Sequence, residues 1–212
     1  MSDTVACQDR ALCQECDECV RFGRARSAGA YARGMGRPRR AFVEGIYHFG
    51  SHGSDSRHLF MNADDRLSFL ARLALVDERF DLRLIAYALL GNHYHALVVT
   101  PGDCLSKALQ QLHSWYARRH NRRHERSAHL FRAHCFAREV TSDEDLLGTC
   151  RYVAHNPVEA GLCNDPFAWP WSSTVASAGF AAPAIPLDPG PLRAALGDGD
   201  DWQRRYRAFI AT

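Results

Sequence analysis

The sequence has almost no lysine and no long apolar run. No stretch approaches the roughly 20 consecutive apolar residues that cross a bilayer. The N-terminus, where acids and cysteines give way to arginines, lacks the hydrophobic segment of a signal peptide. A soluble, cytoplasmic chain with no membrane partner is therefore expected. In that reducing compartment the 8 cysteines read as thiols or metal ligands rather than disulfides. Cys104, Cys135, Cys150 and Cys163 sit among apolar neighbours and read as small core residues. Of the 26 basic residues only Lys107 is a lysine. Arginine's planar fork suits phosphate, but codon bias would give the same total, so placement has to decide.

At 212 residues with 46% hydrophobic composition, the chain can bury one good core. Residues 1–40 carry no apolar periodicity and read as a Cys- and Arg-rich extension. Residues 42–49 mix aromatic and β-branched types as a strand does, and residues 50–56 break it. Asn62, Asp64 and Asp65 offer N-cap chemistry for a helix to about Phe80. Residues 82–90 and 93–100 read as two strands joined by the hairpin signal Gly91-Asn92. A long helix follows to about Arg123, with Leu105, Leu109 and Leu112 as its buried stripe and Asp103 or Ser106 as cap. Residues 130–140 read as a further strand or hairpin. Thr141 and Glu144 form a capping box for a helix ending before Pro157. The pattern is α+β with an antiparallel sheet over residues 41–176, and the Ala-, Pro- and Gly-rich residues 177–212 read as a tail.

His93 and His95 are two apart on a strand, so both imidazoles emerge on one face and Tyr94 on the other. A His-x-His pair alone is weak evidence for a metal, and its context must raise it. The helix that follows carries one tyrosine, Tyr116, with His113 and His120 at spacings that share its face. Around it lie Arg118, Arg119, Arg122, Arg123, Arg126, Arg132 and Arg138, with Glu125 the only acid before Glu139. Such an excess reads as a phosphate-binding footprint. Trp115, Phe131 and Phe136 are candidate stacking platforms for unpaired bases.

These residues resemble the REP-associated tyrosine transposases of the HUH single-tyrosine superfamily. The resemblance spans about residues 42–175. It rests on Tyr47-His48, on Gly91-Asn92-His93-Tyr94-His95, and on Tyr116 ahead of Asn121-Arg122-Arg123-His124. It rests also on Arg151-Tyr152-Val153-Ala154-His155-Asn156-Pro157-Val158-Glu159-Ala160-Gly161-Leu162 and Pro170-Trp171-Ser172-Ser173. The chain departs from the family at His52, where an arginine is usual. The resemblance implies a ferredoxin-like antiparallel sheet with helices packed on it. It implies an enzyme that nicks and rejoins single-stranded DNA near hairpin-forming repeats with Mg²⁺ or Mn²⁺. His93 and His95 become metal ligands and Tyr116 the nucleophile. The third ligand is expected on the tyrosine helix, with His120 ranked first and Asn121 as the alternative. The expected product is a 5′-phosphotyrosine and a free 3′-hydroxyl, and one tyrosine per chain implies that two chains cooperate in strand transfer.

Other readings stay open at this point. A rolling-circle initiator or relaxase shares the histidine motif, though the small core and closing signature speak against it. A non-catalytic nucleic-acid-binding regulator derived from a transposase would keep the arginines and need neither tyrosine nor metal. The run Cys13-x-x-Cys16-x-x-Cys19, with Cys7 as a fourth thiolate, predicts a structural metal site, zinc in the first instance. The same short spacing is also used for iron–sulfur ligation.

Overall fold

Alternation along four strands divides the protein into a sheet with a helical layer on each side. The computed structural model describes residues 42–132 and 135–212, so the expected extension and its cysteines Cys7, Cys13, Cys16 and Cys19 lie outside the described residues. Strand β1 (Gly45–His52) leads to helix α1 (Ala63–Arg79), and the hairpin of β2 (Arg83–Leu89) and β3 (His93–Thr100) leads to α2 (Leu105–Arg123). Then come β4 (Phe136–Val140), α3 (Asp143–Glu159) and three shorter helices, α4 (Thr174–Ser177), α5 (Gly190–Leu196) and α6 (Trp202–Ala211). The sheet order is β2-β3-β1-β4 with every pair antiparallel. A βαββαβ chain in that order is the ferredoxin-like arrangement. Among the described residues no helix is long and apolar enough to cross a membrane.

One sheet face is aromatic. Tyr47, Phe49, Leu84, Tyr87, Leu89, Tyr94, Ala96 and Val98 pack there against Phe69, Leu73 and Val76 of α1 and Leu105, Leu109, Leu112 and Tyr116 of α2. On the other face Ile85, Ala86, Ala88 and Leu97 meet Leu146, Cys150, Val153 and Ala154 of α3. A bulge between Leu84 and Ala86 places Ile85 and Ala86 on the same side and restores the alternation beyond them.

Several local expectations shift. α1 begins at the expected cap, with Asn62 Oδ1 accepting from the Asp65 amide at 3.1 Å. For α3 the capping residue is Ser142, not Thr141, and its Oγ accepts from the Asp145 amide. α3 does not stop before Pro157. It runs on to Glu159, and the Ala160 amide still donates to the Asn156 carbonyl. A proline this near a C-terminus removes one ladder bond and leaves the final turn its remaining partners. The expected tail is part of the core: Ala178, Leu192, Tyr206 and Ile210 are buried against α3. Arg151 donates to the Phe209 carbonyl and His155 to that of Ile210 (2.7 Å). Alanine-rich composition hid this packing, because a few large side chains do the burying. Ser172 and Ser173 lie along the free edge of β2, the Ser173 amide donating to the Tyr87 carbonyl at 2.9 Å, so that edge is covered.

Candidate active site

β3 presents His93 and His95 to the α3 side of the sheet, as the two-residue period requires. Its neighbour β1 adds two more imidazoles to the same face, since His52 pairs with His93 and Gly50 with His95. His52 stacks on His93 at 4.6 Å between ring centroids. His48 Nε2 lies 3.1 Å from His95 Nδ1. Gly50 makes this crowding feasible: a Cβ there would collide with the Tyr94 carbonyl and meet the Phe136 ring at 2.7 Å. Phe136 instead lies edge-on to His48, ring centroids 4.9 Å apart.

Helix α3 closes this face with two polar side chains one turn apart, Tyr152 and Asn156, a spacing that shares a helix side. The half-buried Tyr152 ring packs edge-on against His95 at 5.2 Å and His48 at 5.9 Å. Asn156, 6% exposed, brings Oδ1 to 2.8 Å from His93 Nε2. On the far side of that ring, His93 Nδ1 is 2.8 Å from Asn92 Oδ1. If Nδ1 carries the proton and donates to Asn92, Nε2 is a lone pair facing the lone pairs of Asn156 Oδ1. With that tautomer a cation bound by both atoms would satisfy them, whereas with Nε2 protonated the contact is a hydrogen bond to Asn156. His95 repeats the pattern: His48 engages Nδ1, while the buried Nε2 has no hydrogen-bond partner. Orienting the outer nitrogen so that the inner one points at a metal is how ligating histidines are generally held.

Burial keeps these rings neutral, which ligation requires. His95 is held well below the ordinary histidine range by desolvation and then by His48. Desolvation, and then the nearby Arg138, lowers His48 to about 3. His52 falls to about 4 through desolvation, His93 and Arg132, and His93 is lowered by desolvation against the pull of Asn156. His93, His95 and Asn156 place two imidazoles and one amide oxygen on this face, donor types that a divalent cation accepts.

Tyr116 is not at this site. It lies on the opposite face, 1% exposed, with its hydroxyl donating to the Leu59 carbonyl at 2.6 Å and its ring against Phe60 and Phe69. Burial pushes its phenol far above the ordinary range, with Asp65 adding to the shift. The reason is legible in the stripe itself: Leu105, Leu109, Leu112 and Tyr116 follow spacings of four, three and four, so Tyr116 continues the buried face rather than interrupting it. His120 extends the same stripe and lies beside Asp65 and His124, away from His93 and His95. Asn121 spends its amide on the Ala128 carbonyl at 2.9 Å. Neither reaches the histidine pair, which corrects both expectations for the third ligand. His113 meets the Tyr94 hydroxyl at 2.6 Å in the same aromatic layer.

The arginines divide. Arg118, Arg122, Arg126 and Arg132 are exposed, and the Arg132 amide donates to the His52 carbonyl, close to the histidine cluster. Arg123 pairs with Asp64 at 2.7 Å and Arg119 lies over Trp115. Arg138 is committed to Asp145 at 2.7 Å and to the Thr149 hydroxyl, which removes it from the expected phosphate contacts. Of the expected stacking platforms, Phe131 stacks on His113, Trp115 packs against the aromatic core, and Phe136 borders the histidines. Reading from residues alone missed Tyr152, Asn156, His48 and Gly50. The usable signal was the Tyr152-x-x-x-Asn156 spacing inside a stretch already singled out.

No family model and no curated protein matches the sequence. A comparison of folds does find a likeness. The solved structure of the REP-associated tyrosine transposase bound to a REP hairpin superposes with a TM-score of 0.58 at 16% identity, over 68% of this chain and 86% of that one. The ferredoxin-like antiparallel sheet implied by the sequence resemblance is the kind seen here, and the chain has the fold of that tyrosine transposase.

Proposed function

We propose that the protein is a metal-dependent nuclease that nicks and rejoins single-stranded DNA next to hairpins, with Tyr152 as nucleophile and His93, His95 and Asn156 as metal ligands. The carrying observation is that Tyr152 and Asn156, one helical turn apart on α3, face His95 and His93 across the site. The hairpin-bound transposase of the same fold supports DNA as substrate, as do the exposed Arg118, Arg122, Arg126 and Arg132.

A phenol is a poor nucleophile near neutral pH, its ordinary pKa being about 10. A Mg²⁺ or Mn²⁺ held by His93, His95 and Asn156 would supply Lewis acidity to the phosphate, offsetting charge that builds in the transition state. The protein supplies position. α3 is held against the sheet by Val153 and Ala154 and tied to α6 through Arg151 and His155, so the Tyr152 ring is presented at a fixed height above the imidazoles. As the Tyr152 oxygen bonds to phosphorus the phenolic proton leaves, and the P–O3′ bond breaks with the 3′ oxygen taking up a proton. Charge and protons balance, and the phosphotyrosine keeps the energy of the broken ester. Attack by another 3′-hydroxyl reverses the step, and two chains complete an exchange of strands.

The test is incubation with hairpin-bearing single strands and Mn²⁺, followed by denaturing electrophoresis. The parent protein forms a covalent DNA adduct and Tyr152→Phe forms none. DNA binding without any adduct in the parent would leave a non-catalytic DNA-binding regulator as the reading.

A further inference from the structure

The misfit of His120 on the aromatic face leads to a second site. His120 is 1% exposed, and neither of its ring nitrogens makes a well-formed hydrogen bond among the described residues, the Asn121 side chain nearby being spent on the Ala128 carbonyl. Each unmade bond of a buried polar atom costs on the order of 1–3 kcal/mol, so such a ring wants an explanation. Beside it stands His124, one helical turn on and ring centroids 4.5 Å away. The third member is Asp65 from the first turn of α1, 3% exposed, with its carboxylate 3.0 Å from His124 Nε2. One ligand atom from each of the three lies within 4.8 Å of the others.

We propose that Asp65, His120 and His124 bind a first-row divalent transition ion of the zinc class, independently of the His93, His95 and Asn156 site on the other sheet face. Two imidazoles and a carboxylate favour such an ion over Mg²⁺ or Ca²⁺, which prefer all-oxygen shells. Ligand bonds of about 2.0–2.2 Å require only that the three side chains close in slightly. The neutral His124 ring ligates through Nε2 with its proton carried on Nδ1, the ion taking the place of the hydrogen bond to Asp65. Asp65 Oδ2 also accepts from the Met61 amide at 2.9 Å, which fixes the carboxylate before any ion arrives. A bound ion ties the first turn of α1 to the last turn of α2, the end that carries Arg122 and Arg126.

The inference does not rest on the nuclease reading, and its test avoids activity. Full-length His93→Ala, which disables the other site, is stripped with chelator, reloaded with Zn²⁺, desalted and analysed for metal. Adding His124→Gln, a half-buried position that leaves no cavity, removes one zinc per chain. It also removes a gain in Tm of about 5–10 °C expected at a hundredfold excess of Zn²⁺ over Kd. Equal zinc content and equal Tm gain with and without His124→Gln, and likewise with His120→Gln, would overturn the proposal. Should the variants not fold, Co²⁺ titration of His93→Ala decides. An intense visible band of tetrahedral nitrogen and oxygen ligation supports the site, and its absence, or thiolate charge transfer alone, refutes it.

Discussion

The two faces of the sheet each set a tyrosine on a helix beside histidines, and the two tyrosines differ in what surrounds them. On the α1–α2 face Tyr116 is sealed among Phe60, Phe69 and Phe131, and its hydroxyl is spent on the Leu59 carbonyl. On the α3 face Tyr152 is half-buried beside His95, whose Nε2 has no hydrogen-bond partner among the described residues, and His93 Nε2 meets Asn156 Oδ1. On the proposed reading, what separates the core tyrosine from the nucleophile is whether water and substrate reach the ring and whether imidazoles free to bind a metal stand beside it. Residue type alone does not tell them apart.

The contrast is broken most sharply by exchanging one oxygen. Tyr152→Phe lowers covalent adduct formation about a thousandfold or more, whereas Tyr116→Phe keeps it within about threefold; the reverse order in a denaturing gel assay would sink the assignment. Next in size, Asn156→Ala and His48→Ala each slow nicking, the second by about 10–100-fold because His48 only orients His95. Single-turnover rates at saturating Mn²⁺ report this, and an unaffected His48→Ala would make that ring a packing residue.

Stability inverts the ranking. Tyr116→Ala costs about 3–5 kcal/mol, and the same change at half-buried Tyr152 costs well under half of that, as urea unfolding will measure. Acid sharpens the comparison further. Desolvation holds His113 at about 4 against 6.5 when unfolded, so the unfolded chain binds the proton first. Its contribution to stability is whole above about pH 6.5 and is lost as pH falls toward 4. At pH 5 the loss is about 2 kcal/mol relative to pH 7, and His113→Phe should flatten the slope by that amount. The smallest effect belongs to the exposed arginines. Replacing Arg118, Arg122 or Arg126 weakens DNA binding for all sequences alike and reduces its salt slope by about 0.7 for each arginine replaced.

Much of the fold was legible because the signals were local and cooperative. The Gly91-Asn92 turn, the Asn62 cap and the β3 limits at His93 and Thr100 depend on neighbours in sequence. The strand alternation that puts His93 and His95 on one face needed nothing more. Which helix would cover that face was a tertiary fact. The sequence order of two helices does not say which side of a sheet each will take, and a basic, tyrosine-bearing α2 was the more conspicuous. The Tyr116 stripe nevertheless contained its own correction in the leucine spacing. The packing of residues 177–212 was hidden for another reason, since Leu192, Tyr206 and Ile210 are isolated large residues in an alanine-rich stretch.

The most direct measurement locates the covalent bond in the unmodified protein. The adduct formed with a hairpin single strand and Mn²⁺ is digested with nuclease and protease, and the nucleotide-bearing peptide is identified by mass spectrometry. The phosphotyrosyl residue is expected at Tyr152, on the α3 face with Asn156. A modified Tyr116 would contradict the account, because it would require the aromatic core to open before chemistry begins.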